Sequence, residues 1–164
     1  MRLSNKNRVE LYQFLNSIVL MSLAVGIFLF FTGIFGIDRL GHAKYLLIIV
    51  PIVMIIVMYL RGRQIFEYDS DGEALNFKNR NVLPFISHTV SDEFPKYKLL
   101  KYEVVNMQLY KKLFITISSK KGHPIVLNYD ISYLKNKDIK DLKTSLSRVI
   151  KQNQENNRKE AATE

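Results

Sequence analysis

Hydrophobic and polar positions divide this chain at Arg61. Residues 14–60 are almost wholly apolar, and the residues after them alternate in short runs. The first apolar segment, FLNSIVLMSLAVGIFLFFTGIFGI (residues 14–37), is roughly 36 Å long as a helix, enough to cross a bilayer with some tilt. The second, Tyr45–Leu60, covers only roughly 24 Å, but residues 41–60 reach spanning length. There Lys44 and Arg61 can snorkel to opposite headgroup layers, and Tyr45 and Tyr59 suit the interfaces. Pro51 predicts a kink in the middle. The connection IDRLGHAK is short, so the spans form an antiparallel hairpin. A cleaved leader fits poorly: the first run is long, no small-x-small site follows it, and a second span comes at once.

On the first span Ser22, Gly26, Leu29, Gly33 and Gly36 fall within about 80° of one another on a helical wheel. Small residues allow close helix approach in lipid. This face serves either homodimerisation or packing against the second span. Arg2, Lys6 and Arg8 precede the first span and Arg61 and Arg63 follow the second, whereas the loop carries Arg39 and Lys44. That excess predicts both termini in the cytoplasm.

Beyond Arg61 the pattern predicts an antiparallel meander. QIFEYD and ALNFK flank an Asp71-Gly72 turn, and a further strand lies around Ile86–Phe94. In LLKYEVVNM (99–107), Leu100, Tyr102 and Val104 share one face, with Lys101 and Glu103 opposite. LFITISS (113–119) presents Leu113, Ile115 and Ile117, and PIVLNY (124–129) follows a turn at Lys120-Lys121-Gly122. NKDIKDLKTSLSRVIKQN then places Ile139, Leu142, Leu146, Val149 and Ile150 on one helical face, with Asn136 or Asp138 to cap the start. The expected organisation is a transmembrane hairpin over residues 1–61, a soluble domain over 62–152, and a disordered polar tail over 153–164. The expected fold is α+β: the hairpin, then an antiparallel β-barrel or sandwich closed by a C-terminal amphipathic helix.

Composition narrows the chemistry. The chain has no cysteine, which excludes disulfides and thiolate chemistry. Its net charge is +9, and residues 61–164 hold 19 Lys/Arg against 13 Asp/Glu, a net of +6. A mild basic excess beside a bilayer suits anionic lipid. Lys96, Lys98, Lys101, Lys111, Lys112, Lys120 and Lys121 are candidate contacts for lipid headgroups or an acidic partner, or else ordinary lysines protecting turns and strand edges. Aromatic residues among them do not amount to a nucleic-acid surface. His42, His88 and His123 are scattered, no metal-ligand spacing or glycine-rich phosphate loop occurs, and Asp92-Glu93 reads as a solvated loop. Ser118, Ser119 and Ser145 read as surface. No ionisable side chain lies inside the spans, which argues for an anchor over a transporter. An enzyme, a cofactor and a small-molecule ligand are not expected.

Two membrane helices, then IFEYDSDGEALNFKN, EFPKYKLLKYEVVNMQLYKKLFITISSKKG and a closing helix, resemble the small bacterial membrane proteins with a pleckstrin-homology-like (PH-like) domain. The resemblance covers residues 9–152. It implies a module of the bacterial inner membrane that mediates protein–protein assembly at the cytoplasmic face, with the bilayer and a protein partner or a second copy as its contacts. An anionic-lipid sensor, or an accessory subunit of a larger membrane complex, is the alternative. Inositide-binding members use a basic first hairpin; here Asp69-Ser70-Asp71-Gly72-Glu73, taken as that hairpin, is acidic and would repel phosphate.

Overall fold

The computed structural model describes residues 1–32, 41–83, 88–119 and 123–161. The chain divides into two compact units, Arg8–Leu60 and a second made of Met1–Asn7 together with Arg61–Glu164. The first seven residues, expected to be part of the hairpin, therefore belong to the β-rich unit.

In the helical unit, α1 spans Val9–Thr32 and α2 spans Leu46–Leu60, the latter preceded by 3-10 turns from Gly41. Both are long and apolar enough to cross a membrane. α1 starts five residues earlier than the apolar run suggests. Its least exposed positions are Val9, Tyr12, Asn16, Val19, Leu23, Gly26, Leu29 and Phe30, one stripe spaced mostly by three and four. α2 answers with Leu47, Ile48, Pro51, Ile55, Val57 and Met58, and Lys44 just before it is partly shielded too. These faces form the seam along which α1 and α2 pack on each other. α2 runs unbroken through the buried Pro51. Away from the seam, large apolar side chains such as Phe14, Met21, Phe28, Phe31 and Ile56 stand exposed.

Among the described residues the β unit contains seven strands in two antiparallel sheets. The first sheet is β1 (Arg2–Ser4), β2 (Ile65–Asp69), β3 (Ala74–Arg80) and β4 (Val90–Pro95), in that order. The second is β5 (Leu99–Asn106), β6 (Lys111–Ile117) and β7 (Ile125–Asp130). α3 (Asn136–Ala161) follows. Among the described residues no strand of one sheet pairs with a strand of the other, so the barrel half of the expectation gives way to two open sheets over a shared core.

β1 has no counterpart in the sequence reading. Arg2, Leu3 and Ser4 pair with Asp69, Tyr68 and Glu67. Leu3 faces the core, Arg2 Nε lies 2.9 Å from Asp69 Oδ2, and the Ser70 amide donates to the Met1 carbonyl at 3.0 Å. Asn5 prolongs the ladder with its side chain, which receives the Phe66 amide and donates to the Gln64 carbonyl, both at 2.8 Å. Asp69–Glu73 is the turn between β2 and β3, the first two strands that a short turn joins.

Inward residues of both sheets and of α3 form one core. Phe77 is its hub. Its ring lies 4.8 Å from Tyr129 and 5.7 Å from Phe94, both stacked, and 5.0 Å from Tyr68. The Tyr129 hydroxyl donates to Asp92 Oδ2 at 2.8 Å, so Asp92 is a strand residue with a core partner instead of part of a solvated loop. In β5 a bulge between Leu99 and Lys101 leaves Leu100 unpaired and half exposed and turns Leu99 into the core. The expected face of Leu100, Tyr102 and Val104 thus loses its first member.

α3 covers the core with the residues its periodicity predicts: Ile139, Leu142, Leu146, Val149 and, partly, Ile150. Asp138 closes its start by accepting the Lys135 amide at 3.4 Å, while Asn136 instead receives the Lys111 ammonium at 2.9 Å. Tyr68 and Tyr102 meet Ser145 and Ser147 at 3.0 and 2.8 Å, so Ser145 is a docking group and not free surface. The helix passes residue 152 because Asn153 donates to the Lys96 and Leu99 carbonyls, at 2.8 and 3.1 Å. Lys151 and Glu155 add an i,i+4 pair one turn apart. The expectation of a disordered tail from 153 stopped the helix too early.

Two outcomes follow from this core. Phe77→Ala removes the hub ring and should cost about 3–5 kcal/mol, read as a lower midpoint in a urea titration of the near-ultraviolet tyrosine signal. Burial raises the Tyr129 pKa strongly, reinforced by its hydrogen bond to the Asp92 carboxylate, and burial raises that of Tyr68 as well. Folded, Tyr129 keeps its proton and Tyr68 holds its own more tightly than usual, while the unfolded chain loses both near the ordinary value of 10.0. Stability should fall as pH rises above about 10, and Tyr129→Phe should flatten that fall relative to its own stability at pH 7.

Candidate functional site

The chain leaves the β unit after Asn7 and returns to it at Arg61, and the two points lie side by side because Asn5 is bonded to Gln64 and Phe66. The returning segment is fixed just as firmly. Asp130, at the end of β7, accepts the Arg63 amide at 3.1 Å and the Arg63 guanidinium at 3.2 Å. Arg63 Nε donates to the His88 carbonyl at 3.1 Å, and the Arg61 guanidinium lies 4.9 Å from the Tyr133 ring centre. Gly62 takes φ +76°, and a Cβ there would overlap the Asp130 carboxylate. Only glycine fits both the left-handed backbone and the close approach.

Behind this clamp Asn79, fully buried, joins the two sheets. Its amide group donates to the carbonyls of Ile65 and Asp130, at 3.0 and 3.1 Å, and its oxygen receives the Asp130 amide at 2.7 Å. Asn79 is the third inward residue of β3 after Leu75 and Phe77, so the strand's alternation points it at this corner. Together with the Tyr129–Asp92 bond, this side chain ties two sheets that share no backbone ladder among the described residues.

The structure separates the candidate lysines. Lys96 and Lys98 lie in the turn before β5, next to the far end of β6, where the Ser118 amide donates to the Lys98 carbonyl at 2.8 Å. The acidic β2–β3 turn is there too, with the Lys96 amide bonded to the Glu73 carbonyl at 3.0 Å. Lys101 sits on the outer face of β5, 3.7 Å from Glu103. Lys111 and Lys112 begin β6 at the opposite end, roughly 20 Å from the Lys98 turn along the strand. Lys112 pairs in register with Asp130, and the Ile131 amide bonds the Lys111 carbonyl at 2.9 Å. Lys111 and Lys112 therefore share the end of the domain that holds Arg61 and Arg63, whereas Lys96 and Lys98 share the acidic end. Lys120 and Lys121 lie outside the described residues.

Of the small-residue face, Gly26 sits where a Cβ would overlap the Leu47 carbonyl, so it admits the backbone of α2 from the same chain. Ser22 is exposed and turns its hydroxyl back to the Val19 carbonyl at 2.8 Å. Gly33, Gly36 and Arg39 lie outside the described residues. Among the described residues no three His, Asp or Glu side chains converge as metal ligands. An open concavity of about 690 Å³ covers the outer face of the first sheet, lined by Arg2, Glu67, Asp69, Lys78 and Glu93 among others. These are strand-surface residues of alternating sign, solvated and without a convergent set. Sequence reasoning missed Asn5, Gly62, Asn79 and Asp130. Only Gly62, between two arginines after an apolar run, carried a visible signal. No family model, curated protein or solved structure matches the chain.

The clamp can be weighed with two glycines. Gly72 also has positive φ, at +71°, but open space around it. Gly72→Ala should cost about 1–2 kcal/mol, the left-handed backbone alone. Gly62→Ala should add about 1.5–3 kcal/mol more by parting Asp130 from Arg63, measured by urea unfolding of both variants in detergent.

Proposed function

We propose that this chain is a membrane-anchored, non-enzymatic β-module for protein–protein assembly, of PH-like type, at the cytoplasmic face of a bacterial inner membrane. The seven strands, divided four and three and closed by a C-terminal helix, support the PH-like reading. In this reading the hydrophobic hairpin is an insertion between the first two strands. It anchors the domain by two connections that emerge side by side, and the exposed Phe, Leu, Ile and Met side chains of α1 and α2 face lipid. The positive residues flanking the hairpin support the cytoplasmic orientation.

The observation that carries assembly is the outer edge of β7. β7 pairs with β6 on one side and with no strand on the other among the described residues. Ile125 and Val126 on it are 46% and 57% exposed. An edge of this kind accepts a partner strand through backbone hydrogen bonds, with side-chain contacts giving selectivity.

Crosslinking of the tagged full-length protein in native membranes, read by mass spectrometry, tests this. A stoichiometric protein partner with crosslinks at residues 123–130 is expected, and Val126→Glu should cut its capture about fivefold or more without unfolding the domain. Crosslinks confined to lipid, or unchanged capture by the variant, would overturn it. Self-crosslinks through β7 would make the partner a second copy.

A further inference from the structure

The turn joining β5 to β6 reads Met107-Gln108-Leu109-Tyr110 and runs straight into Lys111 and Lys112. It is tight, with the Met107 amide bonded to the Tyr110 carbonyl at 2.9 Å. Met107 and Leu109 are each 52% exposed, and neither belongs to the core. The Lys112 ammonium lies 5.6 Å from the Tyr110 ring centre. Two apolar side chains at a tip, an aromatic residue and two lysines behind them make up a small amphipathic projection. Hairpin tips in water are usually polar, and this one is not.

Its position gives it a partner. β5 and β6 run so that this turn falls at the end of the domain where Lys112 pairs with Asp130, and Asp130 clamps Arg63 three residues after the hydrophobic hairpin. The far end carries the acidic β2–β3 turn. The near end thus joins two exposed apolar tip side chains to Lys111 and Lys112, whereas the exposed Tyr97 and Leu100 of the far end lie beside the acidic turn.

We infer that the Met107–Lys112 turn is a second membrane contact, in which Met107 and Leu109 enter the headgroup–acyl boundary and Lys111 and Lys112 meet anionic headgroups. The inference rests on the anchor reading above and goes further, in choosing these two lysines over Lys96, Lys98 and Lys101. The occupant is the bilayer the hairpin crosses. Tyr and Lys are the side chains that suit that boundary, with an apolar body below and a polar tip in water. Each lysine near an anionic surface favours the contact about fivefold.

The natural chain has no cysteine, so single labels can be placed without background. Leu109→Cys, Tyr97→Cys and Ile52→Cys would each carry an environment-sensitive fluorophore on the full-length protein in vesicles of phosphatidylcholine with one-third phosphatidylglycerol. Tyr97 is 70% exposed in the turn before β5, at the far end, and Ile52 is an exposed residue of α2. Quenching by spin-labelled lipid, headgroup-proximal for 109 and 97 and mid-chain for 52, is compared with quenching by aqueous iodide. The expected result is a lipid-to-iodide quenching ratio at 109 several-fold above that at 97, falling about threefold or more in the Lys111→Ala/Lys112→Ala background or in phosphatidylcholine alone. Equal ratios at 109 and 97, with 52 quenched by lipid, would overturn the turn contact and leave the anchor standing. A label at 52 that lipid does not quench would overturn the anchor, and the turn contact with it.

Discussion

The pairing of Arg2–Ser4 with Glu67–Asp69, prolonged by the Asn5 side chain onto Gln64 and Phe66, determines how everything else is connected. It closes a sheet with residues that lie some sixty positions away from their partners in sequence. The hydrophobic hairpin is therefore enclosed by the domain instead of preceding it. One consequence is topological: both ends of the hairpin belong to the same folded unit, so the proposed anchor requires an even number of crossings before any charge rule applies. Another is energetic. Closing a long loop costs entropy that grows only slowly with length, so a helical insertion of this size is tolerated where its two ends are held by good hydrogen bonds. Buried amide groups of Asn5 supply two of them.

A polar corner completes that arrangement. Asn79 satisfies one carbonyl of β2 and both backbone groups of Asp130, and Asp130 in turn uses its carboxylate on Arg63. Each member is costly to bury alone and is partnered, and no buried side-chain polar atom among the described residues lacks a hydrogen bond. The corner makes the two sheets one body at the point where the chain arrives from α2. Gly62 belongs to the same unit of design: any side chain there would occupy the place of the carboxylate.

Much of this architecture was legible because its signals are periodic and local. Six strands, the α3 stripe and both apolar spans follow from spacing that a short window contains. β1 does not, since three residues with one apolar position carry no period, and its charges read naturally as a flank of the first helix. Leu100 misled for a related reason. A bulge changes the phase of a strand by one residue, and nothing in LLKYEVV marks which leucine is inserted. The end of α3 was misjudged because apolar periodicity stops at Ile150, while the contact that holds the next turn is a single polar side chain, Asn153, reaching two backbone carbonyls. Among the candidate lysines, Lys111 and Lys112, which the pattern puts in a turn, begin β6, and the spacing alone does not set which of the described lysines share an end. Register did that, through the pairing of Lys112 with Asp130.

For an anchored domain the strength of a surface contact and its occupancy are separate matters. A free domain presenting two lysines and two apolar side chains would bind a bilayer weakly, because two cations and a few methylenes must offset the loss of overall freedom. With the hairpin as the proposed anchor, that loss is already accounted for, and the same small patch would meet the surface at an effective concentration in the millimolar range. No deep headgroup pocket is then required, which fits a domain whose outer concavity is open and lined by side chains of both signs. The same logic favours the β7 edge as the place where selectivity resides. A tether makes weak contacts sufficient, but it makes them equally sufficient for any surface within reach. Discrimination has to come from directional bonds, and the unpaired backbone of an edge strand provides these in a fixed register.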